Sequence, residues 1–170
     1  MTEVTTTYRS PLGLLTIKAT DKYVAAVLFE KASRGTQDKS NQGEVKIPSH
    51  PLIHQCITQL QEYFEGTRKH FDLSLQQTGT AFQQKVWNEL LKIDYGKTIS
   101  YLELSKRIGD VKAIRAVGTT NGKNNIAIIV PCHRVIGSNG DLTGYAGELW
   151  RNRWLLEHEA KFGNGVQTLF

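Results

Sequence analysis

The sequence is poor in the residues that build disulfide-rich domains and membrane spans. Its 170 residues include two cysteines, Cys56 and Cys132, one methionine and four prolines. Two cysteines are too few for a disulfide scaffold or a four-cysteine zinc site. No apolar run approaches the roughly 20 residues that a membrane helix needs, and the N-terminus, MTEVTTTYRSP, lacks the apolar segment of a signal peptide. We therefore expect no membrane association and a reducing, cytoplasmic location.

What the chain does contain is typical of a folded globular protein. Hydrophobic residues make up 39% and charged residues 22%, enough for one good core or two small ones. Basic residues outnumber acidic residues by 21 to 16. The surplus is uneven, because residues 79–170 hold 12 basic and 8 acidic side chains against 9 and 8 in residues 1–78. This asymmetry is a mild indication of an anionic partner for the C-terminal part.

Residues 1–78 predict a small antiparallel sheet with one helix. GLLTIKAT and YVAAVLFEK are typical of two strands joined by a turn, with TTYRS as a third strand and HFDLSL as a further one. The polar stretch 33–46 predicts a loop. A helix follows Pro51 and stops at Gly66, with apolar residues at helical spacing. Cys56 lies beside that apolar stripe, so we interpret it as a buried core residue rather than a reactive thiol.

Residues 79–170 predict a mainly helical domain. TAFQ predicts a capping box at a helix start, with Thr80 as the N-cap and Gln83 three residues later. SYLE predicts a second one, with Ser100 and Glu103. The apolar face expected for the first of these helices comprises Phe82, Val86, Leu90 and Ile93.

Two short helices at about 100–122, separated by a tight turn containing glycine, match a helix-turn-helix. The second begins near Lys112, and its spacing predicts that Ile114 and Val117 face the core. Any helical hairpin gives this pattern, so alone it is a weak indication of DNA binding.

The segment PCHRV, residues 131–135, places Cys132 beside a histidine and an arginine. A free thiol has a pKa of about 8.5 and needs a base, a cation or a helix N-terminus to become a useful nucleophile. His133 and Arg134 are candidates, although neighbouring residues of an extended chain point apart, so His133 would need a turn or a bridging water. Glu157 and Glu159 could orient the imidazole. An inert thiol at a strand end fits the pattern equally well.

PCHRV, together with GTAFQQKVWNELLKIDYGKTISYLELSKRIG, AIRAVGTTNGKN and GYAGELWRNRWLLEHE, resembles the O6-alkylguanine-DNA alkyltransferases. The resemblance runs from about residue 80 to 162. It implies an α/β (α+β) fold: a structural N-terminal domain, 1–78, and a C-terminal DNA-binding and alkyl-acceptor domain, 79–170, which carries the helix-turn-helix and the loop with the active-site cysteine. It also implies a single-turnover methylated-DNA–protein-cysteine methyltransferase that needs no metal or organic cofactor.

The resemblance implies a role for each catalytic residue. Cys132 is the alkyl acceptor, His133 acts on it through a water, and Glu159 orients His133. Asn124 matches the family's hinge asparagine, which braces the active-site backbone. Tyr101 matches the tyrosine that donates to guanine N3.

The implied partner is double-stranded DNA containing O6-alkylguanine, with the base flipped out from the minor groove. Arg115 would take the place of the extruded base. The other residues expected at the DNA are Tyr101, Ala116, Gly118 and Arg134. Those expected at the base pocket are Val135, Tyr145, Ala146 and Gly147.

Two departures from the family pattern bear on function. Glu148 stands where a second glycine is common, at the expected rim of the pocket, and it could narrow the tolerance for bulky alkyl groups. The low cysteine count excludes the zinc-bound second repair domain of bifunctional relatives, so the single-function form is expected. Activity on O4-alkylthymine and cooperative assembly on DNA stay open. The alternatives are a lesion-binding module without transfer activity, which the intact PCHRV disfavours, and a Cys-His-Glu thiol hydrolase, in which the helix-turn-helix would have no task.

Overall fold

The structure is a computed structural model that describes residues 2–30, 49–137 and 149–163. The chain divides into two compact units, residues 1–77 and 78–170. The polar stretch 33–46, for which the sequence predicts a loop, lies outside the described residues.

The first unit is built on a three-stranded antiparallel sheet in the order β1-β2-β3. Its strands are β1 (Val4–Ser10), β2 (Gly13–Ala19) and β3 (Val24–Phe29). Alternate residues of β2, among them Leu15 and Ile17, are fully buried, as expected for a sheet with one face on a core. The three N-terminal strands predicted from the sequence are therefore confirmed.

Helix α1 (Pro51–Glu65) covers this sheet. The His50 side chain accepts a hydrogen bond from the Ile53 N–H, Pro51 occupies the first turn, and Gly66 ends the helix with φ at 86°. A left-handed C-cap of this kind favours glycine because no Cβ crowds the turn.

The strand predicted at HFDLSL is wrong. Only Leu75 forms a bridge, parallel to Val24 of β3. The Gln59 side chain from α1 donates to the Asp72 carbonyl at 3.0 Å and accepts from the Asp72 N–H at 2.8 Å. Because these backbone groups of Asp72 are paired with a helix side chain, they do not join a strand ladder.

The second unit is mainly helical. Its helices are α2 (Ala81–Leu90), α3 (Tyr101–Ile108), α4 (Ile114–Gly122) and α5 (Leu149–Gly163). Thr80 and Gln83 form the predicted reciprocal capping box of α2. At α3 only half of the predicted box is present: Ser100 accepts from the Glu103 N–H, whereas the Glu103 carboxylate pairs with Arg107 at 3.3 Å. The mixed α/β fold class predicted from the sequence is confirmed.

Helices α3 and α4 form a helix-turn-helix at the predicted residues. Gly109, with φ at 95°, ends α3, and a 3-10 turn, Val111–Ala113, leads into α4. Val117 of α4 is fully buried, but Ile114 is 37% exposed, so the prediction that Ile114 faces the core is wrong. Ile114 is the first residue of α4, directly after the 3-10 turn.

A two-stranded parallel ladder links the helix-turn-helix to the cysteine segment. Strands β4 (Ile99–Ser100) and β5 (Val135–Ile136) pair residue by residue. Because α3 begins directly after β4, this ladder holds the start of α3 beside the end of the PCHRV segment. In the described part of the chain no helix combines the length and the apolar character needed to cross a membrane.

Candidate active site

The backbone reaches Cys132 through two consecutive tight turns. Ile128 has φ at 72°, and the Ile129 N–H donates to the Ala127 carbonyl at 2.8 Å, which closes a γ-turn around Ile128. A positive φ is a costly conformation for a β-branched residue, about 1–3 kcal/mol. A second γ-turn follows at Pro131, where the Cys132 N–H donates to the Val130 carbonyl at 2.8 Å.

Asn124 holds this strained segment from inside. Its side-chain amide donates to the carbonyls of Ile126 and Val130, at 3.1 and 2.8 Å, and its oxygen accepts from the Ile126 N–H at 3.1 Å. Three hydrogen bonds from one buried side chain therefore fix both ends of the turn at Ile128. The position expected for a hinge asparagine is thus a brace between the end of α4 and the cysteine segment.

Cys132 begins a 3-10 turn, Cys132–Arg134, and is partly exposed. Its carbonyl accepts a hydrogen bond from the Asn121 side chain of α4 at 3.3 Å. The backbone that follows the thiol is thereby tied to the second helix of the helix-turn-helix, and the backbone before it is held at Val130 by Asn124. The other cysteine, Cys56, differs in its exposure: it is fully buried, and burial raises the pKa of its thiol to about 12.

His133 follows Cys132 in the 3-10 turn and is buried against Glu159 of α5. Its Nε2 is 2.6 Å from Oε2 of Glu159, and both side chains are 1% exposed. Glu157, the other carboxylate considered from the sequence, is exposed on the same helix. The opposite ring nitrogen of His133, Nδ1, is buried and has no hydrogen-bond partner among the described residues.

The sequence prediction that Arg134 lies at the DNA is wrong. Its guanidinium is buried and donates twice to Glu159, at 2.8 and 3.1 Å, and once to the Ile93 carbonyl at 2.6 Å. A guanidinium held in this way is not available to a phosphate. Its forked geometry instead supplies a buried carboxylate with two parallel hydrogen bonds.

The Glu159 carboxylate accepts from four donors. Oε1 accepts from Arg134 Nε and from the Gly96 N–H at 3.3 Å, while Oε2 accepts from His133 Nε2 and Arg134 Nη2. Burial raises the pKa of Glu159, but the hydrogen bonds from His133 and Arg134 and the positive charge of Arg134 outweigh it and hold the pKa well below its usual range.

An ionised Glu159 determines the tautomer of His133. Because the carboxylate can only accept, the imidazole proton bonded to it lies on Nε2. In the neutral ring Nδ1 is then the acceptor. The buried cluster therefore leaves the basic nitrogen of His133 on the side of the ring opposite Glu159, where it can accept a proton.

The other residues expected at the DNA lie on α4 and at the start of α3. Arg115 and Ala116 are exposed, and Arg115 has no hydrogen bond or ion pair within the described ranges. Gly118 lies beside the ring of Tyr101, since a methyl group built on it would meet that ring at 3.8 Å. Gly118 and Tyr101 therefore mark a close approach of the two helices.

Of the residues expected at the base pocket, Val135 is buried in β5, next to the cysteine turn. Tyr145, Ala146 and Gly147, together with the departure at Glu148, lie outside the described residues. No group of three or more His, Cys, Asp and Glu side chains suited to a metal ion occurs in residues 2–30, 49–137 and 149–163.

Sequence reasoning missed two parts of this site. Asn121 was not singled out, although an asparagine in the last turn of α4 could have suggested a cap or a brace. The strain at Ile128 leaves no trace in the sequence, because neither glycine nor asparagine occupies the position of positive φ.

Two family models match consecutive parts of the chain. The "6-O-methylguanine DNA methyltransferase, ribonuclease-like domain" matches residues 4–77, and the "6-O-methylguanine DNA methyltransferase, DNA binding domain" matches residues 81–161. A methylated-DNA–protein-cysteine methyltransferase of Methanosarcina acetivorans is 42% identical over 152 residues, which cover 89% of this chain and 95% of that protein.

Two crystal structures from Mycobacterium tuberculosis are similar to this fold. The O6-methylguanine methyltransferase is 41% identical, with a TM-score of 0.81 and coverage of 99% of both chains. The OGT in complex with DNA is 43% identical, with a TM-score of 0.78 and coverage of 92% of both chains. By both its sequence and its fold, this chain belongs to the 6-O-methylguanine DNA methyltransferase family.

Proposed function

We propose that this protein repairs O6-alkylguanine in double-stranded DNA by transferring the alkyl group to Cys132. The observation that carries the proposal is the buried Glu159–His133 pair, which follows a partly exposed cysteine in the same 3-10 turn. This arrangement provides a base for the thiol, and the same segment is tied by Asn121 and Asn124 to a helix-turn-helix.

The proposed step is a single displacement. The thiol proton passes to His133 Nδ1 through a water, and the Cys132 sulfur attacks the alkyl carbon. The sulfur–carbon bond forms as the carbon–O6 bond breaks, and the electron pair leaves with guanine. Tyr101 donates a proton to guanine N3 as the carbon–O6 bond breaks, so that the base leaves neutral, and the proton taken up by His133 returns through solvent to the Tyr101 oxygen. Because a thioether has no route back to a thiol here, each molecule acts once.

DNA is the partner of the second unit in this proposal. Residues 111–123, which form the second helix and the turn before it, contain three basic residues and no acidic one: Lys112, Arg115 and Lys123. Such a surface attracts the phosphate backbone. The alkyl carbon of a stacked base is not accessible to the thiol, so the nucleotide must be flipped out.

Intact-mass measurement after incubation with O6-methylguanine DNA tests the proposal. We expect a stoichiometric gain of one methyl group, located on the Cys132 peptide, with guanine restored in the DNA. Cys56 provides an internal control, since its buried thiol should stay unmodified. Tight binding without a change in mass would favour the lesion-binding module, and turnover of a thioester substrate would favour the hydrolase.

Arg115→Ala should slow repair in duplex DNA by about tenfold to a hundredfold, because flipping costs a few kcal/mol that a side chain in the vacated stack partly offsets. Repair in single strands, and of the free modified base, should change little. Lys112→Ala is the matched control: it removes one positive charge from the same exposed surface and should weaken binding to both polymers. An equal loss for Arg115→Ala on duplex, single strand and free base would exclude the flipping role.

A further inference from the structure

The segment between α2 and β4 contacts the buried Arg134–Glu159 pair at three points. The Ile93 carbonyl accepts from Arg134 Nη1 at 2.6 Å, and the Gly96 N–H donates to Glu159 Oε1 at 3.3 Å. The third contact is made by a side chain: the ring of Tyr95 lies over the Arg134 guanidinium, with 5.7 Å between the guanidinium carbon and the ring centroid. Only this third contact depends on which side chain the segment carries.

The backbone around Tyr95 holds its ring in this position. The Lys97 N–H donates to the Asp94 carbonyl at 3.1 Å and Gly96 has φ at 77°, so these residues form a tight turn with the positive φ at its third position. The ring also packs against the end of α5, because a methyl group built on Gly163 would meet it at 3.2 Å. Tyr95 is therefore buried with little room to change its orientation.

An aromatic ring suits the surface that Arg134 leaves uncovered. The N–H groups of a guanidinium lie in one plane, so its faces make no hydrogen bonds, and the negative face of a ring within about 6 Å attracts the cation. Burial, and then the negative charge of Glu159, raise the pKa of Tyr95 to about 12 against the opposing effect of Arg134. The ring stays neutral and covers the pair without adding a third charge.

We infer that Tyr95 is a positioning residue for alkyl transfer, which acts through the Arg134–Glu159 pair. The inference rests on the proposed function and extends it to the turn before β4. By covering the guanidinium, the ring keeps water from competing for the carboxylate, so that Glu159 retains its donors. One of these donors is His133 Nε2, and the orientation of the imidazole depends on that bond.

The test compares substitutions of Tyr95 in single-turnover transfer from a saturating duplex that contains O6-methylguanine. Tyr95→Phe keeps the ring and should react within about twofold of the wild type. Tyr95→Leu keeps apolar cover without an aromatic face, and its rate constant should be about three- to tenfold lower, the loss expected for a cation–π contact. Tyr95→Met, which is also apolar and has no ring, should match it, so the comparison does not depend on the folding of one variant. Affinity for the duplex should stay unchanged in all three.

Two further measurements separate positioning from a general loss of structure. Val86→Ala removes buried volume from α2, and it should lower the free energy of unfolding while the transfer rate stays at the wild-type level. Exchange of the Arg134 Nε proton with solvent reports the cover directly. It should become faster in Tyr95→Leu and Tyr95→Met but not in Tyr95→Phe or Val86→Ala.

The inference would be overturned if Tyr95→Leu and Tyr95→Phe reacted at the same rate, whether at the wild-type level or below it. Slower transfer without faster exchange of the Arg134 proton would make Tyr95 a packing residue, and weaker binding of the duplex in place of slower transfer would assign it to the DNA interface; both results overturn the inference. All of these outcomes require an active wild type. Absence of transfer in the wild type would instead refute the proposed function itself.

Discussion

Cys132→Ser should abolish methyl transfer completely while leaving affinity for O6-methylguanine duplex within about two- to threefold of the wild type. A serine hydroxyl is far less acidic than a thiol, so the base behind it cannot generate a comparable nucleophile. Two bonds that position residue 132 involve its backbone: its N–H donates to the Val130 carbonyl and its carbonyl accepts from Asn121. Both survive the substitution, so the DNA-binding surface should stay in place.

The measurement combines intact mass for transfer with a binding titration on the same lesion-containing duplex. Cys56→Ala is the matched cysteine control, because Cys56 is buried in the first unit and should be dispensable for transfer. Methylation of the Cys132→Ser protein at another residue would show that the acceptor has been misassigned. Loss of binding would instead show that the thiol itself contributes to lesion recognition.

Local signals in the sequence predicted local structure well. The capping box of Thr80 and Gln83 and the stop at Gly66 each depend on a few neighbouring residues, and both are confirmed. The errors arise where the partner is distant. HFDLSL has strand-like composition, but Gln59 takes the backbone groups of Asp72. Composition does not reveal that competition.

In the candidate site, too, features that depend on neighbouring residues were predicted and features that depend on distant partners were not. PCHRV identified the segment through its resemblance, but the burial of Arg134 depends on Glu159 and Ile93, which lie 25 and 41 residues away. In the sequence, a basic residue beside a reactive cysteine is interpreted as a DNA contact, because its buried carboxylate partner is distant along the chain. Ile114 was misjudged for a related reason, since helical periodicity gives the side of a helix but not where the covering neighbour ends.

Glu159→Gln should have the second largest effect, on both stability and transfer. The substitution leaves the buried Arg134 guanidinium without its counter-charge, and breaking a buried pair from one side costs about 3–5 kcal/mol. Glu157→Gln is the matched control, because it makes the same chemical change at an exposed position of the same helix. Chemical denaturation should therefore give a clearly lower free energy of unfolding for Glu159→Gln than for Glu157→Gln.

The stabilisation that Glu159 contributes should decrease in acid. The pKa of Glu159 is lowered from its ordinary 4.5 in the folded protein, so the native state binds this proton less readily than the unfolded chain. The stabilisation is complete above about pH 4.5 and is lost as the pH falls below that value. The difference in unfolding free energy between the wild type and Glu159→Gln should thus shrink in acid. A difference that stays constant from pH 7 to well below pH 4.5 would contradict the assignment.

The rate of methyl transfer by Glu159→Gln should also fall, for a reason separate from the loss of stability. Glutamine has one accepting oxygen, whereas Glu159 uses two oxygens for four donors. If the oxygen keeps Arg134 Nε and Gly96, the new NH₂ group faces His133 Nε2 and drives the imidazole proton to Nδ1. The nitrogen needed by the thiol is then occupied, and the loss of a positioned base lowers the rate by about 10²–10⁴-fold.

The imidazole nitrogen shifts of His133 distinguish the two effects, because they report which nitrogen carries the proton independently of stability. Glu159→Asp, which keeps the charge and both accepting oxygens, should retain the Nε2–H tautomer and recover part of the rate. A wild-type transfer rate in a destabilised Glu159→Gln protein would mean that the carboxylate serves only to neutralise Arg134. A reduced rate with the tautomer exchanged would instead connect Glu159 to the nucleophile through the position of a single proton.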